Sequence, residues 1–220
     1  MKFAKEARPF VLPFVALAAL LFARRRPRWG FASALLGLAT LLFFRDPARR
    51  PGGGMEVVLA PADGLITGVD KVTDPALGGG RYHRVITFLS VFDVHVQRTP
   101  VAGEVVFSGA TAGRKVAAFR ENAGDVNASH LTVIRRPDGD LVGVRQIVGL
   151  LARRIVCYLE RGDTVDRGQL LGLIKFGSRV DLLVPESYQL LVQKGDRLQN
   201  GATPVARVAV ARDAAQTEAT

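Results

Sequence analysis

Two hydrophobic patterns divide the chain. Up to residue 44 the apolar positions are continuous: Phe10 to Ala23 is fourteen residues without a charge, and Trp29 to Phe44 is sixteen. Between them stands Arg24-Arg25-Arg26-Pro27-Arg28. The pattern predicts an apolar helical hairpin over 1–46. A spanning helix needs roughly 20 apolar residues at ~1.5 Å each, so both runs are short, although snorkelling arginines and Trp29 extend them. Arginines flank every end, so the positive-inside rule sets no orientation. A hairpin dipping into one leaflet and a two-span hairpin both fit, and a hairpin buried in a soluble protein is the plainer alternative. A cleaved signal peptide fits poorly, because the first run lacks a small-x-small exit and a second run follows at once.

Pro47 to Gly54, with Pro51 and three consecutive glycines, reads as a linker. Beyond it the pattern changes to short apolar runs punctuated by Gly, Pro and Asp: Val57-Leu59, Arg84-Leu89, Val94-Gln97, Gly103-Phe107, His130-Arg135, Val144-Val148, Ile155-Leu159, Val180-Val184 and Val205-Val210. This spacing predicts a mainly β domain over 55–213 and a short tail over 214–220. Ala110–Ala123 is less regular and reads as loop or a short helix. Gly162-Asp163-Thr164-Val165-Asp166-Arg167-Gly168 is echoed by Gly195-Asp196-Arg197-Leu198-Gln199-Asn200-Gly201. Each is a Gly-Asp turn, an apolar residue and a second Gly turn leading into a strand. Two copies are too few for a solenoid, and the arrangement resembles barrel-sandwich folds of the biotinyl and lipoyl type.

Composition sharpens this picture. The 220 residues carry a net charge of +10, with 48% apolar and 23% charged residues, which excludes a disordered chain. Residues 1–50 hold ten basic and two acidic residues, so +8 of the charge sits there and the body is nearly neutral. A nucleic-acid partner is therefore not expected. Cys157 is the single cysteine, which excludes an intramolecular disulfide framework and a cysteine-based zinc site. No metal is expected.

The candidate chemistry lies at Phe176-Gly177-Ser178-Arg179, between two apolar strands. Most Gly-Ser pairs are ordinary turns. The functional alternative is a serine whose hydroxyl attacks the carbonyl just before it, with Gly177 relieving the strained approach. Such a hydroxyl needs a base. Of the three histidines, His83 lies beside three glycines, His130 opens a strand, and His95 sits in Phe92-Asp93-Val94-His95-Val96-Gln97-Arg98. In an extended segment Asp93, His95 and Gln97 would share a face. Asp63, in the turn Pro61-Ala62-Asp63-Gly64, would orient and charge-stabilise an imidazole. Lys175 is the only nearby lysine that a modified carrier domain could present.

These stretches together resemble the short type of phosphatidylserine decarboxylase. The matching segments are Phe43-Phe44-Arg45-Asp46-Pro47, Pro61-Ala62-Asp63-Gly64, Phe92-Asp93-Val94-His95-Val96 with Pro100, Gln146-Ile147-Val148-Gly149 through Ala152-Arg153-Arg154-Ile155, and Phe176-Gly177-Ser178-Arg179-Val180-Asp181. They occur in family order over nearly the whole chain.

The resemblance implies self-cleavage between Gly177 and Ser178 through an ester and dehydroalanine, leaving a β chain (1–177) and an α chain (178–220) that begins with a covalent pyruvoyl group. That cofactor would form a Schiff base with phosphatidylserine, accept electrons as carbon dioxide leaves, and release phosphatidylethanolamine. The α and β chains would stay together as a heterodimer, with a higher oligomer also compatible. The enzyme would sit on the cytoplasmic face of the cell membrane. Where longer bacterial members carry a second histidine, this chain has Arg98, so the family's triad does not transfer whole. The expected set is Ser178, His95 and Asp63, with Arg98 binding the lipid phosphate or carboxylate and Asp93 a weaker candidate. The rival reading is a membrane-anchored lipoyl-like adaptor or carrier without catalysis.

Overall fold

A computed structural model describes residues 2–113, 127–149, 154–175 and 178–208. Helices α1 (Arg8–Ala23) and α2 (Pro27–Phe43) form the expected hairpin, with Arg25 in a left-handed turn at φ 55°. Its strands are β1 (Lys2–Phe3), β2 (Arg45–Asp46), β3 (Val57–Leu59), β4 (Gly64–Thr73), β5 (Arg81–Leu89), β6 (Val96–Arg98), β7 (Gly103–Thr111) and β8 (Ser129–Arg135). They continue as β9 (Leu141–Val148), β10 (Arg154–Cys157), β11 (Thr164–Val165), β12 (Leu170–Lys175), β13 (Ser178–Pro185), β14 (Gln189–Leu190), β15 (Arg197–Leu198) and β16 (Pro204–Arg207).

The body is an antiparallel eight-stranded sheet in the order β11-β7-β8-β9-β13-β5-β4-β15. Two three-stranded sheets, β10-β12-β6 and β14-β16-β3, pack on it. One sheet face contributes Val85, Leu89, Ile134, Val142, Val144, Val148, Val180, Leu182 and Val184 to the main core, which the smaller sheets close with Leu171, Ile174, Val58 and Val205. The mainly β, barrel-sandwich-like architecture behind an apolar hairpin is as expected.

The echoed turns cap the two ends of the large sheet. In the first, Gly162 N–H donates to the Val105 carbonyl and Val105 N–H to that of Asp163. In the second, Gly195 N–H donates to Ile66 and Ile66 N–H to Asp196. Each Asp side chain accepts from a backbone N–H three residues earlier, Glu160 at 2.8 Å and Gln193 at 2.9 Å. The echo therefore encodes a matched pair of edge locks.

Three details differ from the sequence reading. Strand β4, with five of its ten residues exposed, lacks a clean apolar run and was not predicted. Strand β6 begins only at Val96, because Asp93 closes a turn onto Ser90 (N–H at 2.8 Å, Oγ at 2.7 Å) and so does not continue an extended His95 face. The irregular Ala110–Ala123 stretch lies mostly outside the described residues.

Within the hairpin, Gly30, Ser33 and Gly37 form the buried seam of α2, and Ser33 Oγ donates to the Phe14 carbonyl at 2.8 Å. The other faces expose Leu12, Val15, Leu17, Leu20, Phe22, Trp29, Phe31 and Leu35. The base of the hairpin packs on the body: Ala7, Phe43 and Phe44 cluster with Leu173, joined by Phe10 and Tyr158.

Candidate active site

Ser178 opens β13, between Leu89 on β5 and Val148 on β9. Strand alternation turns its side chain toward the same face as Val180 and Leu182, and it is fully buried, with no partner for Oγ among the described residues. Gly177 lies outside the described residues.

His95 precedes β6, and its carbonyl accepts from Ile174 N–H at 3.3 Å, four residues before Ser178 along the β12–β13 connection. The residue is 1% exposed. Nδ1 lies 2.9 Å from the Asp93 carbonyl. A carbonyl only accepts, so Nδ1 carries the proton, and the buried Nε2, without a partner among the described residues, keeps its lone pair. Burial pushes the imidazole pKa down to about 4, with Arg45 adding to the shift while the Asp93 carbonyl and carboxylate oppose it. His95 is thus a neutral base at pH 7, held in one tautomer. The Phe43 ring covers it at a centroid distance of 4.1 Å and an angle of 36°.

The sequence reading gave Asp63 an orienting role; among the described residues its hydrogen bonds go to groups other than the imidazole. Oδ2 receives Arg49 at 2.7 Å and Oδ1 receives the Asn200 N–H at 2.8 Å. Burial raises its pKa, opposed by those two donors. Asn200 also donates from Nδ2 to the Val96 carbonyl at 2.6 Å, so Asp63 and the strand that follows His95 share one fixed strut.

Arg98 is already engaged, pairing with Asp46 at 2.5 Å and donating to the Gly168 carbonyl at 2.8 Å. It ties β6 to the segment leaving the hairpin. A cavity of about 1110 Å³ opens there, lined by Lys2, Lys5, Asp46, Arg49, Arg98 and Tyr158 among others. Neither Ser178 nor His95 lines it. Lys175 is half-buried with its ammonium 5.1 Å from the Phe10 ring, which is not the exposed tip of a carrier domain.

Sequence reasoning left Phe43, Gln97, Gln146 and Asn200 without roles, although the first three lie inside stretches that carry the family resemblance or adjoin His95. Gln97 donates from Nε2 to the His95 carbonyl at 2.8 Å and accepts from Gln146 Nε2 at 2.9 Å. Their polarity at buried sheet positions was the available signal.

A mainly β body thus buries a serine hydroxyl and an imidazole nitrogen, neither with a hydrogen-bond partner among the described residues. The chain belongs to the phosphatidylserine decarboxylase family, an enzyme family whose model matches residues 36–206. A phosphatidylserine decarboxylase proenzyme from Saccharopolyspora erythraea is 44% identical over 208 residues, covering 92% of this chain and 86% of the relative. Proenzymes of the same name from Symbiobacterium thermophilum and Gluconacetobacter diazotrophicus are 43% and 42% identical, covering 93% and 92% of this chain and 95% and 92% of their own.

Proposed function

We propose that this chain decarboxylates phosphatidylserine to phosphatidylethanolamine, using a pyruvoyl group made from its own Ser178 by cleavage after Gly177. The pair of buried, unpartnered atoms Ser178 Oγ and His95 Nε2 carries the reading. His95 Nε2 takes the Ser178 proton as the hydroxyl adds to the carbonyl of residue 177. The neutral ring supplies the free lone pair, and the Asp93 carbonyl holds the Nδ1 proton opposite it. Completion of the acyl shift and elimination separates a β chain (1–177) from an α chain (178–220).

The burial of position 178 and its neighbouring polar atoms suit a small ketone there. When present, that group supplies an electrophilic carbonyl for the substrate amine and a sink for the electrons left by departing carbon dioxide. The dry site favours loss of the carboxylate charge, and His95, within the same interior, is the group able to return a proton.

The hairpin supports a membrane-associated location, and the cytoplasmic face is part of the proposal. Lys5–Ala23 is long and apolar enough to cross a membrane, with mean hydropathy 1.7, whereas α2 is shorter. Its exposed leucines and aromatics form an apolar surface suited to lipid. Arg98, held by Asp46 beside the basic cavity, is the candidate contact for the lipid phosphate.

The test is intact-mass measurement and carbon dioxide release from phosphatidylserine vesicles. Wild type should give two fragments split after residue 177 and release the gas. Ser178→Ala should stay one chain and release none. Normal fragments from Ser178→Ala would overturn the assignment.

A further inference from the structure

Like Ser178 Oγ and His95 Nε2, the buried side-chain atoms Thr87 Oγ1 and Gln146 Oε1 lack partners among the described residues. Both residues are almost completely buried, at 1% and 0% exposure. Sheet register brings them together. Thr87 on β5 and Gln146 on β9 both oppose Val180, so they flank it from either side. Ser178 lies two residues before Val180 on the same strand and face. Diagonal neighbours in such a sheet lie within reach of long side chains.

The free atom of Gln146 is an acceptor, and the chain of amides determines this. The His95 carbonyl only accepts, so Gln97 must point Nε2 at it and Oε1 at Gln146. Gln146 must then turn Nε2 toward Gln97, which leaves Oε1 without a donor. Leu89, Val148 and Val180 surround this polar spot with apolar groups. A fixed, buried acceptor suits a ligand that brings N–H or O–H. It does not suit a phosphate or carboxylate.

We propose that Gln146 Oε1 and Thr87 Oγ1 form the receiving site for the substrate's primary amino group beside position 178, and that they select headgroups bearing N–H over quaternary ones. The proposal rests on the decarboxylase reading, in which the amine must reach position 178. Gln97 acts through Gln146 and is a positioning residue.

The test uses the full-chain, self-cleaved enzyme on vesicles of phosphatidylserine in phosphatidylglycerol. Thr87→Val and Gln146→Met should still yield two fragments. Their KM should rise on the order of 10-fold or more, the loss typical of a hydrogen bond to a charged group, with a smaller change in kcat. Wild type should be inhibited by added phosphatidylethanolamine, less by its N-methylated forms, and not by phosphatidylcholine. Gln146→Met and Gln97→Met should flatten that series, which a merely structural defect would not do. If one variant fails to mature, the other and Gln97→Met decide by the same KM and headgroup readouts. An active wild type inhibited equally by ethanolamine and choline lipids, or mature Thr87 and Gln146 variants with unchanged KM, would overturn this proposal alone. A wild type that yields neither fragments nor carbon dioxide would remove the decarboxylase reading itself.

Discussion

Replacing Phe43 with alanine should return His95 toward ordinary titration. Phe43 is the last residue of α2, and its ring lies 4.1 Å from the imidazole centroid. The imidazole pKa falls from 6.5 to about 4, chiefly through burial. At ~1.36 kcal/mol per unit, that shift corresponds to about 3 kcal/mol against the charged form. Because the folded pKa lies below the unfolded one, the unfolded chain binds more protons between about pH 6.5 and 4. His95 therefore costs stability as pH falls through that window, by up to about 3 kcal/mol below it. Removing the ring admits water to one face, and the pKa should recover by about one to two units. The acid loss should shrink by about 1–3 kcal/mol, even though the variant is less stable at pH 7 through lost packing. The assay follows the His95 ring proton by NMR in an uncleaved Ser178→Ala background with His83 and His130 replaced by glutamine, alongside urea denaturation from pH 4 to 7. A His95 pKa still near 4 in Phe43→Ala would refute the reasoning and place the whole desolvation in the β body.

Deleting residues 1–45 should abolish vesicle co-sedimentation, and by baring His95 it should move the acid limb of self-cleavage to higher pH; undiminished vesicle binding would put the anchor elsewhere. Arg179 and Asp181 form a buried two-point ion pair at 2.6 and 2.8 Å. Arg179→Met leaves the buried carboxylate without its two-point partner and should cost about 3–5 kcal/mol in urea denaturation. A Cβ at Gly172 would meet the Val156 carbonyl oxygen at 2.1 Å, so Gly172→Ala should separate β10 from β12 and lower Tm by several degrees. Arg98→Ala frees Asp46 and should raise KM for phosphatidylserine while leaving fragment formation intact, as read by vesicle kinetics and intact mass.

Much of the architecture was legible locally. Fourteen and sixteen uncharged residues separated by arginines could form little but a hairpin, and the structure begins and ends its helices within two residues of those limits. The duplicated Gly-Asp turns announced a repeated element because a tight turn writes its needs into adjacent residues. Strand β4 escaped notice because an edge-proximal strand with exposed positions has no apolar run to betray it.

The site divides the same way. In the proposed site, Ser178 and His95 were singled out in sequence because their neighbours carry a specific ordered pattern. Their state was not. An imidazole read alone titrates near 6.5, and only the ring of Phe43, fifty-two positions away, together with the surrounding β body makes this one a neutral base. Likewise, Asp63 in its turn looked like a partner for the imidazole, yet the fold gives its oxygens to Arg49 and Asn200. Nothing within reach of residue 146 in sequence indicates that its amide faces Gln97, or that its free oxygen lies across Val180 from Thr87. Element type follows from short-range periodicity and turn chemistry, which neighbouring residues encode. Burial, tautomer and hydrogen-bond direction depend on which strands pair and in what register, and only the folded chain brings those distant residues together.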